Sequence, residues 1–277
     1  MIVGSGVTLF SIHVFIPEIS SKFSSRGVLL AYDELRESSS PLLAYNTPIK
    51  TMELTGSPDI EEKGDSEELV KRLVSEDRVF ALIQNDDLAR VDTRYRVLTG
   101  KHLPVLFDSN ASTLLVSNRL SGQRENLNIL EKIVPLISPR PSRPIRANFD
   151  DKIELLGLDI VTSDREEDVC PMGRVTLRFY WKCLKTISGN QEIFVHVDGF
   201  GQRVNGDHYP ANGKYLVRYW NPGDNIVDEV PLEIPAHFPA GDYNIYVGFF
   251  QGSQRLPIKE GSATSENRLK AGILRVR

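Results

Sequence analysis

The densest group of chemically capable side chains lies in the segment HVDGFGQRVNGDHYP, residues 196–210, which holds His196, Asp198, Asn205, Asp207 and His208. Two imidazoles and two carboxylates form a metal or sugar site if residues 193–198 and 207–209 are adjacent strands. The competing reading is a hairpin, in which Gly199, Gly201, Asn205 and Gly206 supply turn geometry and Asp207 caps its own backbone. His196 and Asp198 share one strand face in either case, as any i, i+2 pair does. No metal-ligand spacing repeats, so no metal ligand is assigned, and the sequence offers no cofactor motif and no catalytic residue.

Aromatic residues are concentrated in the same half of the chain. Sugar sites place ring faces against the apolar C–H faces of the ligand and polar groups against its hydroxyls. Strand alternation sends about half of these rings into a core. Tyr180, Tyr219 and Tyr246 fall on the faces opposite the core series, and with His196, Asp198, Asp207 and His208 they make up the candidate ligand-binding set. GSG at 4–6 opens no phosphate-cradling loop, no GxSxG elbow occurs, and nothing brings a histidine to Ser117. Asn110-Ala111-Ser112 is a glycosylation sequon. Glu61–Asp65 and Asp164–Asp168 read as solvated acidic loops.

These residues are carried by elements of two kinds. In the first half, helices alternate with short apolar strands. A helix capped at Ser24-Ser25 buries Val28, Leu29, Tyr32 and Leu35, and another starts at Asp65 or Ser66 with Leu69, Val70, Leu73 and Val74 inward. A third opens at Asp86-Asp87. Strands fall at 42–46, 79–84, 103–108 and 113–118, which together predict a small α/β domain. The second half has period two: VTLRFYWKC (175–183) and DYNIYVGFF (242–250) each alternate core and surface. Similar runs at 153–161, 193–200, 215–220, 226–234 and 273–276 predict an all-β domain, an antiparallel β-sandwich. Between the halves, PLISPRPSRPIRAN (135–148) contains four prolines and reads as a semi-rigid extended linker. The expected organisation is an apolar segment at 1–20, an α/β domain at 21–134, a linker at 135–148 and a β-sandwich at 149–277.

With 33 Lys+Arg against 37 Asp+Glu the formal net charge is −4, which argues against a dedicated nucleic-acid binder. A 40% hydrophobic, 25% charged composition excludes a disordered chain or a polytopic membrane protein. Cys170 and Cys183 are too few for a disulfide scaffold, and the sequence leaves their pairing open. The exception to this ordinary composition is MIVGSGVTLFSIHVFI, residues 1–16, which carries no charge. As a helix it covers roughly 24 Å, short of a hydrocarbon core of about 30 Å. It lacks the charged start and cleavage site of a secretory signal. It is either a buried element of the first domain or the outer end of a membrane helix leaving the bilayer at Pro17-Glu18.

An apolar run followed by FIPEISSKFSSRGVLLAYDEL, PLLAYNTPIKTMELTG, EELVKRLVSEDRVFALIQNDDLARV and TLLVSNR resembles the extracytoplasmic C-terminal region of bacterial multi-spanning glycosyltransferases. These are the protein mannosyltransferases and aminoarabinose transferases that use polyprenyl-phosphate-linked sugars. FVHVDGFGQRVNGDHYP, YWNPGDNIVDEVPLEIP and FPAGDYNIYVGFF look like the β-sandwich appended to some of them. Ser24, Ser25, Tyr45, Leu115 and Asn118 match parts of the pattern and read as cap, strand and loop residues. The family's catalytic acid lies among membrane helices that this sequence does not contain, so no catalytic residue carries over. The resemblance implies that Met1 is a truncated or misassigned start. It also implies a non-catalytic, membrane-associated module on the extracytoplasmic side, tethered through residues 1–16 and contacting glycan, lipid-linked sugar or a partner protein. The alternatives are a glycosyltransferase whose own site uses Asp198 or Asp207, and a structural adaptor.

Overall fold

A computed structural model describes residues 26–37, 40–47, 60–109, 112–162 and 168–277. The expectations for residues 1–20, Ser24, Ser25, the sequon asparagine and most of the 164–168 run lie outside these residues. The described chain is mostly β, with three sheets. It divides into two compact units, Met1–Asn128 and Ile129–Arg277.

In the first unit, helix α1 (Arg26–Leu35) buries Val28, Leu29 and Tyr32, the spacing of one helical face. Strands β1 (Leu42–Tyr45), β2 (Ile60–Lys63), β3 (Phe80–Gln84), β4 (Val105–Phe107) and β5 (Thr113–Ser117) form a sheet of order β2-β1-β3-β5-β4. Pairing is parallel at β1–β2 and β1–β3 and antiparallel at β3–β5 and β4–β5. Leu42, Phe80, Leu82 and Leu115 pack beneath Val28, Leu29 and Tyr32. Helix α2 (Ser66–Leu73) starts at Asp65, whose carboxylate accepts from the Glu67 amide at 3.1 Å.

Glu61-Glu62-Lys63 is not a solvated loop but the edge strand β2. Its Lys63 ammonium is buried between Glu61 and Glu68 at 2.5 and 2.9 Å, which offsets the polarity that hides this strand from a hydropathy reading. Helix α3 (Leu88–Thr99) follows a 3-10 turn at Asn85–Asp87. It ends at Gly100, and the buried Asp92 ties it to the next segment. The Asp92 carboxylate accepts from Arg96 Nε at 2.9 Å, the Leu103 amide at 2.8 Å and Asn128 Nδ2 at 2.8 Å.

The second unit begins with the short helix α4 (Leu130–Ile133). One five-stranded sheet contains β6 (Arg143–Phe149), β7 (Ile153–Thr162), β9 (Arg174–Cys183), β12 (Asn225–Glu233) and β15 (Ile258–Glu260) in the order β12-β9-β7-β6-β15. The other runs β11-β10-β13-β16-β8, from β8 (Asp168–Val169), β10 (Glu192–Gly199), β11 (Gln202–Asn205), β13 (Gly241–Gln251) and β16 (Leu269–Val276). β14 (Gln254–Arg255) pairs with β13. Val175, Leu177, Phe179, Trp181 and Cys183 are buried, as are Tyr243, Ile245, Val247 and Phe249, so the two alternating series form the core. Trp181 joins the layers, with its ring 5.8 Å from Phe149 in its own sheet and 4.8 Å from Phe249 in the other.

Two expectations need correction. The proline segment does not run as an extended linker to 148: Arg143–Phe149 is β6, and Ser142 donates its N–H and Oγ–H to Asp159 at 2.6 and 2.7 Å. Pro144 stands near the strand start, beside a register shift, where a missing N–H is tolerated. Residues 215–220 form no strand. Two 3-10 turns, Pro210–Gly213 and Val217–Tyr219, occupy that region, held by Tyr215, whose hydroxyl lies 2.8 Å from both the Tyr219 carbonyl oxygen and the Asp224 carboxylate.

Candidate functional site

β10 is covered on both faces. Ile193, Val195 and Val197 enter the core, while Phe194, His196 and Asp198 stand on the outer face opposite Gly248, Tyr246 and Asn244 of β13. Gly248 is required for this arrangement: a Cβ there would lie 2.5 Å from Phe194 Cζ, so the phenyl ring rests on bare backbone. The Arg255 guanidinium stacks on Phe194 at 4.6 Å, and that arginine also donates to the Glu266 carbonyl at 2.8 Å. The result is an open groove of 510 Å³ lined by Phe194, His196, Asp207, Phe250, Arg255 and Glu266, with Ser253 and Asn267 at its rim.

His196 is only 7% exposed. Its Nε2 approaches Asp207 Oδ1 at 3.5 Å, and among the described residues its buried Nδ1 has no hydrogen-bond partner. Burial lowers the imidazole pKa, and the Asp207 charge opposes this only in part. The ring is therefore neutral near pH 7. Asp207 does not cap its own backbone but accepts from the Val195 amide at 3.2 Å, fixing the wall of the groove.

At the other end of β10, burial raises the Asp198 pKa, but the bonds from Arg203 and Arg268 outweigh it and hold the carboxyl below its ordinary range. Arg203 reaches both Asp198 oxygens, at 2.6 and 2.8 Å, and Arg268 adds a bond of 2.8 Å. Tyr246, an expected stacking surface, lies under the Arg268 guanidinium at 4.3 Å. Its role here is to seat the arginine.

The remaining expected residues do not join this face. His208 bridges to Ile193, so the two segments are neighbours, but its ring turns away from His196. Its Nδ1 donates to the Gly206 carbonyl at 2.7 Å and its Nε2 to the fully buried Asp228 at 2.9 Å. Burial lowers the His208 pKa, but Asp228 outweighs burial and the net shift is upward. Tyr180 is buried in the other sheet, where its hydroxyl donates to Asp159 at 2.5 Å. Alternation placed it on the outward face correctly, but the Ser142–Asp159 bonds bring the proline segment over that face. Tyr219 sits in a 3-10 turn with the Arg218 guanidinium 4.9 Å above its ring.

The arrangement as a whole can present hydroxyl-binding carboxylates, an amide and a guanidinium beside the Phe250 ring. Among the described residues no group of three or more His, Cys, Asp or Glu side chains is placed to hold a metal ion. Phe194 was recoverable from sequence, because it shares the face of His196 two residues earlier. Arg255 and Glu266 were not, since nothing local ties their loops to β10.

Among the described residues no helix is long and apolar enough to cross a membrane. No protein-family model and no curated protein matches the sequence. Solved structures similar to part of the chain include the C-terminal domain of wzt, at 13% identity and a TM-score of 0.36, covering 49% of this chain and 83% of that one. Another is a Niemann-Pick type C2 protein from Japanese carpenter ant, at 10% identity and a TM-score of 0.30, covering 48% of this chain and 98% of that one.

Proposed function

We propose that the chain is a non-catalytic extracytoplasmic module of a membrane glycosyltransferase-like protein, made of a small α/β unit and a β-sandwich, whose second unit binds glycan. The observation that carries this reading is the groove on the outer face of β10 and β13. It combines an apolar floor with carboxylate, amide, hydroxyl and guanidinium groups, the mixture a polyhydroxylated ligand requires. The sequence resemblance to polyprenyl-phosphate-sugar transferases supports the same class of ligand and a membrane tether at residues 1–16.

Calorimetric titration of the full chain with neutral mannan and dextran tests the reading. Glu266→Ala removes an exposed groove carboxylate that makes no core contact, and a lost charged hydrogen bond of about 1.5–3 kcal/mol predicts at least tenfold weaker binding. Absence of binding to any neutral polymer overturns the glycan reading. Recovery of the chain free of the membrane fraction overturns the tether.

A further inference from the structure

We infer that the groove between the proline segment and the outer face of β6, β7 and β9 binds a phosphate monoester that carries an apolar substituent. This groove lies on the sheet that excludes β10 and β13, so the inference goes beyond the glycan reading above and does not depend on it.

Strand alternation aims the side chains. Ala147, Leu155 and Trp181 are buried inward, so their neighbours Arg146, Glu154 and Lys182 stand on the outer face, with Glu154 in register opposite Lys182. The proline segment lies over this face and adds Arg140. Its position is fixed at two points. At Gly157 a Cβ would overlap Pro141 Cγ and lie 2.6 Å from the Arg143 carbonyl oxygen, so Pro141 rests on bare backbone. One residue further on, Ser142 is held by its two bonds to Asp159, a carboxylate that the Tyr180 hydroxyl also reaches. The wall that carries Arg140 is therefore set in advance, which spares a ligand the cost of ordering it.

The groove has a volume of 420 Å³ and combines Arg140, Arg146, Lys182 and Glu154 with the apolar surfaces of Pro141, Pro144 and Leu156. Three cations thus line it with one carboxylate, an excess of two positive charges. Elsewhere in this unit Arg178, Arg203, Arg268, Arg275 and Arg277 each hold a carboxylate at 2.9 Å or less. Among the described residues the side chains of Arg140, Arg146 and Lys182 form no hydrogen bond or ion pair. A phosphate monoester carries a charge of about −1.5 to −2 at pH 7, which matches the excess, and guanidinium forks bind its oxygens in pairs. The volume falls in the range of sites for whole organic ligands, about 300–1,000 Å³, so it holds more than the phosphate. The proline rings and Leu156 offer the remainder of the ligand an apolar surface.

The test titrates the full chain with phenyl phosphate, phenyl sulfate and inorganic phosphate by calorimetry. Arg146→Gln removes an exposed guanidinium that has no partner, so its urea midpoint is expected to equal that of the unaltered chain. Phenyl phosphate is expected to bind about tenfold tighter than the singly charged phenyl sulfate, and tighter than inorganic phosphate, which lacks the ring. Arg146→Gln weakens phenyl phosphate at least about tenfold, and Arg146→Lys, which keeps the charge but not the fork, recovers part of the loss. Titrations with mannan and dextran are unchanged in Arg146→Gln. Cosedimentation with phosphatidylcholine vesicles containing phosphatidic acid, whose headgroup is a phosphate monoester, separates two sources of the ligand. Vesicle binding that is lost in Arg146→Gln assigns a lipid headgroup, and phenyl phosphate binding without it assigns a soluble ester. Equal affinity of the unaltered chain and Arg146→Gln for phenyl phosphate, or no preference for it over phenyl sulfate, overturns the site and leaves the glycan reading standing. Inorganic phosphate binding as tightly as phenyl phosphate overturns the apolar substituent.

Discussion

Asp228 offers the sharpest test of how the second unit is held together. Its carboxylate is fully buried and accepts from His208 Nε2 at 2.9 Å and from the Ala211 amide at 2.7 Å. The second bond secures a turn in which Ala211 and Asn212 both have positive φ, 51° and 53°. Asp228→Ala strands two buried donors and releases that turn. At about 1–3 kcal/mol per orphaned donor, and with 3–5 kcal/mol typical for breaking a buried pair, the expected loss is about 3–4 kcal/mol.

Both tryptophans of the chain, Trp181 and Trp220, are buried in this unit, so intrinsic fluorescence in urea follows it alone. With m of about 2 kcal/mol/M the midpoint falls by roughly 1.5–2 M. Because the His208 pKa is raised in the folded state, its contribution is complete below the unfolded value of about 6.5 and is lost as pH rises through the folded value. The unaltered unit therefore loses stability as pH rises above about 6.5, and Asp228→Asn abolishes that slope. A midpoint shift under 0.5 M for Asp228→Ala, or a slope that survives in Asp228→Asn, would refute this account.

Two further predictions concern other parts of the chain. Asp92→Ala is expected to cost the first unit about 3–5 kcal/mol, because Arg96, the Leu103 amide and Asn128 all lose a buried acceptor. Hydrogen exchange at the Leu103 amide reads this directly, and unchanged protection there would disprove the role of Asp92. Cys170 and Cys183 are free thiols, and burial pushes Cys183 up to about 12. A maleimide at pH 8 should therefore label only Cys170 in the native protein and both after denaturation. Equal native reactivity would contradict the burial of Cys183.

Sequence periodicity was most informative where burial is one-sided. The alternation in 175–183 and 242–250 identified the inward series of those strands, although Tyr180 on the opposite face is buried as well. Helical spacing identified Val28, Leu29 and Tyr32 of α1 and Leu69, Val70 and Leu73 of α2, but Val74, expected inward, lies past the end of α2 and is exposed. Periodicity failed where polar residues are satisfied by distant partners. β2 was obscured by Glu61 and Glu62, although Lys63 beside them is buried between Glu61 and the distant Glu68. β6 was hidden by Pro144 and the prolines that precede it, and an interrupted ladder accommodates Pro144. The 215–220 run alternates like a strand, but Tyr215 spends its hydroxyl on closing a turn. The polar candidates divided for a related reason. His196 and Asp207 do face one groove, whereas His208 is claimed by Asp228, which lies twenty positions away and is invisible to any local pattern.

The pairing order of the second unit also has a consequence for biosynthesis. β6 closes onto β15 more than a hundred positions later, and β8 is stitched in parallel to β16, with the Arg277 amide bonded to the Val169 carbonyl at 3.0 Å. Neither sheet can be completed until residues 258–277 have left the ribosome, whereas every described strand of the first unit is present by residue 117. High contact order of this kind slows folding and leaves strand edges open in the meantime. A nascent chain would thus carry a finished first unit and an unfinished second one, and it is in that interval that the second unit most needs protection from aggregation.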